Sequence, residues 1–254
     1  MLKAENICKS YGSQKAVDDT TLVAADENIT VIIGESGSGK STLARMLSYI
    51  ESPDSGKVIL NGTEIDKHTA KAHRRDVQLV MQDAASSLDP HQSAKQILDE
   101  PLKIMMKMDK ERRIQRIMEL ADMVQFPKEK LENKVSELSG GQQKRLCIAR
   151  ALATEPEYII FDESFSGLDV TLRAQILSML KKLQNGLKVG FLVITHDLDT
   201  AMFMADRIYV MRFGKIIETI DHPKSLSDLK EDYSKELVKA AEYKRQALHR
   251  KKEY

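Results

Sequence analysis

An α/β fold with a mostly parallel sheet, a small antiparallel β portion and an inserted helical subdomain is predicted by three features of the sequence. Short, fully apolar runs alternate with amphipathic helical stripes in the last hundred residues, the pattern of a parallel sheet covered on both faces. A glycine-rich loop stands between an apolar run and a helical stretch near the N-terminus. Between these two regions the hydrophobic period changes from that of strands to that of helices. The length, 254 residues, suits one large domain or two small ones. Hydrophobic residues at 42% and charged residues at 30% lie in the globular range, which excludes wholesale disorder and fibrous repeats.

Taken in order, Asn28 to Ile33 is a short apolar strand ending in the glycine-rich loop. Lys57-Val58-Ile59-Leu60 runs into Asn61-Gly62, a strong hairpin signal. Val77 to Met81 is a further strand, ending at Gln82. Beyond it, Ile114, Ile117, Met118, Ala121 and Val124 share one face at helical spacing, with Lys, Arg and Glu between them. From Glu157 strands return: Tyr158 to Phe161, then a helical stripe of Leu172, Ile176, Met179, Leu180 and Leu183, then Val189 to Thr195. Arg207 to Val210 and Lys215 to Ile220 frame Phe213-Gly214 as a last hairpin, and the tail from His222 is polar and helix-prone. The expected division is an α/β core in two parts, 1–82 and 155–222, a helical subdomain at 83–154 and a helical tail at 223–254.

The 39 Lys and Arg against 38 Asp and Glu leave a net charge of +1, which gives no global pull toward nucleic acid or anionic lipid. Cys8 and Cys147 are the two cysteines, too few for a disulfide framework or a four-cysteine metal site, and they suit a reducing compartment. The N-terminal stretch MLKAENICKSYGS lacks an apolar core of signal-peptide length, and runs such as Phe191 to Ile194 are far shorter than a membrane span. The chain is read as cytoplasmic, reaching a membrane only through partner subunits.

Gly34-Glu35-Ser36-Gly37-Ser38-Gly39-Lys40-Ser41-Thr42 fits the phosphate-loop pattern in the required place, after a strand and before a helix. Its glycines allow successive backbone N–H groups to point inward, and the helix that follows adds partial positive charge at its start. Lys40 is expected to reach the β- and γ-phosphates, and Ser41 to give a hydroxyl to Mg²⁺, which takes oxygen ligands. A second carboxylate is needed opposite the loop. Tyr158-Ile159-Ile160-Phe161-Asp162-Glu163 supplies a strand ending in two acids, Asp162 to hold Mg²⁺ and Glu163 to polarise the water that attacks the γ-phosphate.

Leu138-Ser139-Gly140-Gly141-Gln142 opens a further helical run through Leu146, Ile148, Ala149 and Leu152, and offers a second anion site at a helix start. Here the chain resembles the ATP-binding cassette family, whose signature is this run. The resemblance extends from about Leu2 to Ile220 and implies a P-loop NTPase (RecA-like) core using ATP and Mg²⁺. It also implies that Ser139, Gly140, Gly141 and Gln142 of one subunit close on ATP held by a second. By the same resemblance Tyr11 stacks on adenine, and Gln82 links the nucleotide site and its metal to the helical subdomain. Ser166-Gly167-Leu168-Asp169 matches the loop that crosses the dimer interface, and His196 matches the switch histidine at the γ-phosphate.

The segment Ser87-Leu88-Asp89-Pro90 followed by Ile97-Leu98-Asp99-Glu100-Pro101-Leu102 resembles the peptide and nickel importer branch of the family. That branch often carries a cysteine-rich extension, and with no cysteine after Cys147 no iron–sulfur cluster is expected. Ser164, Phe165 and Gly167 depart from the usual family residues, which puts interface rates in question but not the Mg²⁺ or water chemistry. Met105, Met106, Met108, Met118 and Met123 suit irregular packing better than soft-metal binding. Lys244, Arg245, Arg250, Lys251 and Lys252 read as a solvated helix end. The expectation is an ATP-hydrolysing importer subunit at the cytoplasmic face of the membrane. It would pair with a second ATPase chain, different from itself, and serve two integral-membrane permease subunits and, through them, an extracytoplasmic binding protein. The rival reading, a soluble cassette ATPase acting on nucleic acid or ribosomes, calls for a long coiled-coil insertion or a second fused cassette, and neither is present in this sequence.

Overall fold

Two strands, β1 (Leu2–Tyr11) and β2 (Gln14–Ala24), open the chain as an antiparallel pair. The structure, a computed structural model, describes residues 1–83 and 85–250, and of residues 85 and 244–250 the backbone alone. Ala84 and the basic side chains from Lys244 onward therefore lie outside the described residues. β3 (Ile29–Ile33), α1 (Lys40–Leu47), β4 (Ser55–Leu60) and β5 (Thr63–Glu64) follow. β4 pairs antiparallel with both β1 and β5, giving a four-stranded sheet in the order β2-β1-β4-β5. The turn between β4 and β5 is the expected one: Asn61 and Gly62 both take left-handed backbone, φ 52° and 80°, so that Leu60 faces Thr63.

After α2 (Ala70–Asp76) and β6 (Val77–Val80) come three helices, α3 (Ala94–Ile104), α4 (Lys110–Met123) and α5 (Gly140–Leu152). β7 (Tyr158–Asp162), α6 (Val170–Leu187), β8 (Gly190–Thr195), α7 (Leu198–Met204), β9 (Arg207–Arg212), β10 (Lys215–Asp221) and α8 (Asp232–Arg250) complete the chain. The second sheet has the order β10-β9-β3-β8-β7-β6 and is parallel except for the β9–β10 hairpin.

The central strands β3, β7 and β8 are buried at every position because both faces of this sheet are covered. Alternation decides which core each side chain enters. Val31 and Ile33, Ile159 and Phe161, and Phe191 and Val193 face a core shared with α3 to α7. Ile32, Ile160, Leu192 and Ile194 face a second core made with α1 and the antiparallel sheet. All the strands of the parallel part end on one edge, where the loops after β3, β7 and β8 bring the chemistry together.

In α4 the structure corrects the expected apolar face. Ile117, Ala121 and Val124 enter the core together with Leu120, whereas Ile114 and Met118 are 48% and 39% exposed. The buried arc is 117, 120, 121, 124, and the two residues on its flank stay in solvent. Met106, Met108 and Met123 pack at the margin of the helical core, and in α6 Ile176, Met179 and Leu180 are buried with Leu172 and Leu183 at the edge. Among the described residues no helix is long and apolar enough to cross a membrane.

Candidate functional site

The loop after β3 is shaped by glycine where no other residue fits. Gly34 has φ 157° and Gly39 φ 102°, and a Cβ there would lie 2.2 Å from the Met211 carbonyl oxygen or 2.1 Å from that of Ala16. Gly39 precedes α1, and no side chain caps that helix, so its first N–H groups point into the loop without an acceptor from a side chain. This is the arrangement that receives phosphate oxygens. Ser36 and Gly37 form the exposed rim and Ser38 is buried. The Lys40 ammonium is folded under the loop, donating to the Gly34 carbonyl at 2.9 Å, the Glu35 carbonyl at 2.6 Å and Ser38 Oγ at 3.2 Å. Burial pushes its pKa below the ordinary lysine value, opposed by the charges of Glu163, Asp162 and Glu35.

At the end of β7, Asp162 Oδ1 accepts from Ser41 Oγ at 3.0 Å. Burial raises the Asp162 carboxyl pKa, with the Ser41 hydrogen bond opposing the rise. A hydroxyl and a carboxylate at the edge of the phosphate loop form an oxygen-only donor set, which fits Mg²⁺. Glu163 follows with left-handed backbone, φ 45°. Its N–H donates to the Ile194 carbonyl of β8 at 2.9 Å, while its own carbonyl accepts from the Ser166 hydroxyl at 2.7 Å. The carboxylate therefore leaves the strand in a different direction from Asp162. Glu163 Oε2 lies 3.4 Å from His196 Nδ1, and the histidine is half exposed after β8.

Glu163 and His196 line a cavity of about 650 Å³ together with Gly34, Glu35 and Ser36, and Lys40, Ser41 and Asp162 lie outside its lining. Arg173 and Asp197 also line it, paired at 3.0 Å, as do Leu237, Ala240 and Ala241 of α8. No motif marked these last five residues: Arg173 sits in a helix face, and the α8 residues lie in a stretch that reads only as a polar tail. Another cavity, about 470 Å³, lies in the helical layer among Lys95, Asp99, Lys110 and Arg113, away from these groups.

The remaining residues singled out by the sequence lie around this centre rather than in it. Tyr11 ends β1, 46% exposed, with its hydroxyl donating to Glu51 Oε2 at 2.6 Å. Gln82 is exposed just past β6. Ser164 ties that end to β7, its hydroxyl donating to the Val80 carbonyl at 2.6 Å, and Phe165 is buried against Phe161 at 5.4 Å between ring centres. Thr42 is in the first turn of α1. Ser139 caps α5: its Oγ accepts from the Gln142 N–H at 3.4 Å while Gln142 Oε1 accepts from the Ser139 N–H at 3.0 Å. Gly140 follows in open space, and a Cβ on Gly141 would stand 3.0 Å from Leu172 in the first turn of α6. Asp169 caps α6 by accepting from the Leu172 N–H at 2.9 Å. None of Ser139, Gly140, Gly141 and Gln142 lines the cavity around Glu163.

Comparison with known proteins identifies the family. The family described as ABC transporter matches residues 17–166. The chain is 39% identical over 232 residues to the nickel import ATP-binding protein NikE of Brucella abortus (strain 2308), covering 87% of each chain. It is 38% identical over 228 residues to the oligopeptide transport ATP-binding protein OppF of Lactococcus lactis subsp. lactis (strain IL1403), covering 89% of this chain and 72% of that one. A dimeric post-hydrolysis structure of the ATP-binding cassette MJ0796, bound to ADP and Pi, superposes with a TM-score of 0.78 at 30% identity, over 89% of this chain and all of that one. The cbiO1 subunit from Clostridium perfringens, part of the transporter complex cbiONQ, gives a TM-score of 0.81 at 27% identity over 88% of each chain. On the family match over residues 17–166 and these similarities, the chain is an ATP-binding ATPase belonging to the ABC transporter family.

Proposed function

We propose that the chain powers import of peptides, nickel or metal-chelate complexes through separate permease subunits, hydrolysing ATP between the phosphate loop of one cassette and the signature of another. ABC importer ATPases work with membrane permeases and dimerise. The observation that carries the reading for this chain is the division of its own site: Lys40, Asp162, Glu163 and His196 stand at or just past the ends of β3, β7 and β8 on one sheet edge, while Ser139 to Gln142 start α5 in the helical block between β6 and β7. A second cassette supplies the missing signature. The similarity to nickel and oligopeptide import subunits supports the cargo class and a peripheral place on the inner membrane face. It also favours a second ATPase of different sequence, two permeases and a binding protein as partners.

In this mechanism the adenine rests on Tyr11 and the polyphosphate on the N–H groups of the loop and α1, with Ser36 to Thr42 around it. Lys40 turns from the loop carbonyls to the β- and γ-phosphate oxygens, where its charge is needed. Mg²⁺ held by Ser41, Asp162 and Gln82 would supply neutralisation of phosphate charge. Glu163 accepts the proton of the attacking water, and His196, 3.4 Å away, fixes that carboxylate and meets the γ-phosphate. Ser139, Gly140, Gly141 and Gln142 of the second subunit close the far side, and Asp169 orders the loop that crosses to it. The block 83–154 carries closure to the permease.

The test is uptake of nickel and of a labelled tripeptide by cells carrying the wild-type chain or Glu163→Gln. The reading expects one of the two uptakes to fall at least about tenfold in the variant, nickel pointing to a metal cargo and the tripeptide to a peptide cargo. Both unchanged would overturn the importer assignment.

A further inference from the structure

The peptide group joining Gly34 to Glu35 opens the phosphate loop, and it is held from two sides. Its carbonyl accepts from Lys40 Nζ at 2.9 Å. Its N–H donates to the phenol oxygen of Tyr233, 3.1 Å away and 198 residues later in the chain. We propose that Tyr233, in the C-terminal helix α8, is a positioning residue of the ATP site that keeps the phosphate loop curled when Lys40 turns to the nucleotide.

In this structure Lys40 bonds the carbonyls of Gly34 and Glu35 and so braces the loop itself. Transfer of the ammonium to phosphate oxygens removes both of those braces at the moment the loop must stay in shape. The Tyr233 bond uses an N–H at the start of the loop, ahead of the groups that lead into α1, and so does not compete with phosphate. It persists in both states and lowers the ordering that ATP would otherwise have to impose.

Tyr233 is itself held firmly enough to act as a brace. Its ring is 5% exposed and lies under the Arg212 guanidinium, 4.3 Å from the ring centre. Arg212 adjoins Met211, whose carbonyl limits Gly34 to glycine, so one strand end fixes both the tyrosine and the loop. Just before α8, Glu218 Oε1 of β10 accepts the N–H groups of Lys230 at 2.6 Å and Glu231 at 3.3 Å, which fixes where the helix begins. Burial also raises the phenol's pKa, so it stays protonated at neutral pH.

Tyr233→Phe removes the oxygen and keeps the ring beneath Arg212. In the whole chain, calorimetric titration with Mg-ATP should give roughly fivefold weaker binding, the size of one hydrogen bond's net contribution. In the assembled transporter KM for ATP should rise by the same factor with kcat within about twofold, since the brace serves ground state and transition state alike. A structural role alone would lower the melting temperature and leave ATP affinity untouched. Wild-type affinity in Tyr233→Phe therefore overturns the proposal, whatever the variant's melting temperature. The inference rests on the phosphate loop being the ATP site, and Lys40→Ala is titrated alongside. Unchanged affinity in Lys40→Ala overturns both readings, whereas loss in Lys40→Ala with none in Tyr233→Phe overturns only the brace.

Discussion

Glu163 carries its carboxylate on a left-handed backbone at φ 45°, a conformation that costs an ordinary residue about 1 kcal/mol or more. The tie of its N–H to Ile194 and of its carbonyl to Ser166 holds it there. What results is a pair of neighbouring acids with separate tasks, Asp162 against Ser41 and Glu163 against His196. The residue types of this centre were legible in the sequence because phosphate and a hard cation demand glycine, lysine, hydroxyl and carboxylate at fixed spacing. Arg173 and Tyr233 were not, since each matters only through a partner 24 or 198 residues away. Lys144 is a third residue whose character comes from packing: it is 6% exposed, and burial pushes its pKa from 10.5 to about 8. The unfolded chain then binds more protons than the folded one between those values, so this group makes stability rise with pH across that window. Lys144→Met should remove a rise of about 3 kcal/mol and leave the protein at least as stable at pH 7. Urea unfolding at pH 8 and pH 10 checks this, and an unaltered pH dependence would refute it.

At the scale of elements, two helix starts with similar glycine-rich sequences are built differently. α1 begins after Gly39 with no side-chain cap, which leaves its N–H groups for a ligand of the same chain. α5 begins with a reciprocal cap between Ser139 and Gln142, which holds its first turn in shape before any partner arrives. Ser139→Ala should cost about 1 kcal/mol of stability through the cap. If, as proposed, the hydroxyl's ligand belongs to the other subunit, the substitution should leave ATP affinity of the single chain unchanged and reduce ATP turnover of the assembled transporter by at least about tenfold. A melting curve, a titration and a turnover assay read these three outcomes, and weakened ATP binding by the single chain would contradict the trans role. The strands were legible because β3, β7 and β8 are apolar at nearly every position, as strands of a sheet buried on both faces are. The face of α4 was less so. Two overlapping apolar arcs run along it, and hydrophobicity alone does not say that Leu120 goes inward while Ile114 and Met118 stay out.

For the molecule as a whole, the parallel sheet serves two cores at once, one with the helices α3 to α7 and one with the antiparallel sheet and α1. Its edge gathers loops that are distant in sequence, so a short catalytic centre is supported by most of the chain. The linear order of motifs foretold this gathering. It did not foretell that α8 returns to the same edge, where Leu237, Ala240 and Ala241 line the cavity beside Glu163. The tail carries a short stripe of Tyr233, Leu237, Val238 and Ala241 among many charged residues, which marks a helix face but not the edge it packs on. In the proposed mechanism the centre is half of a site until a second cassette presents its signature. The central claim is that Glu163 is the base of ATP hydrolysis in that closed assembly, and the turnover of the transporter purified with its permeases and second ATPase tests it most directly. Glu163→Gln should bind ATP as the wild type does and lose turnover by about 100-fold or more; turnover at the wild-type rate would contradict the account.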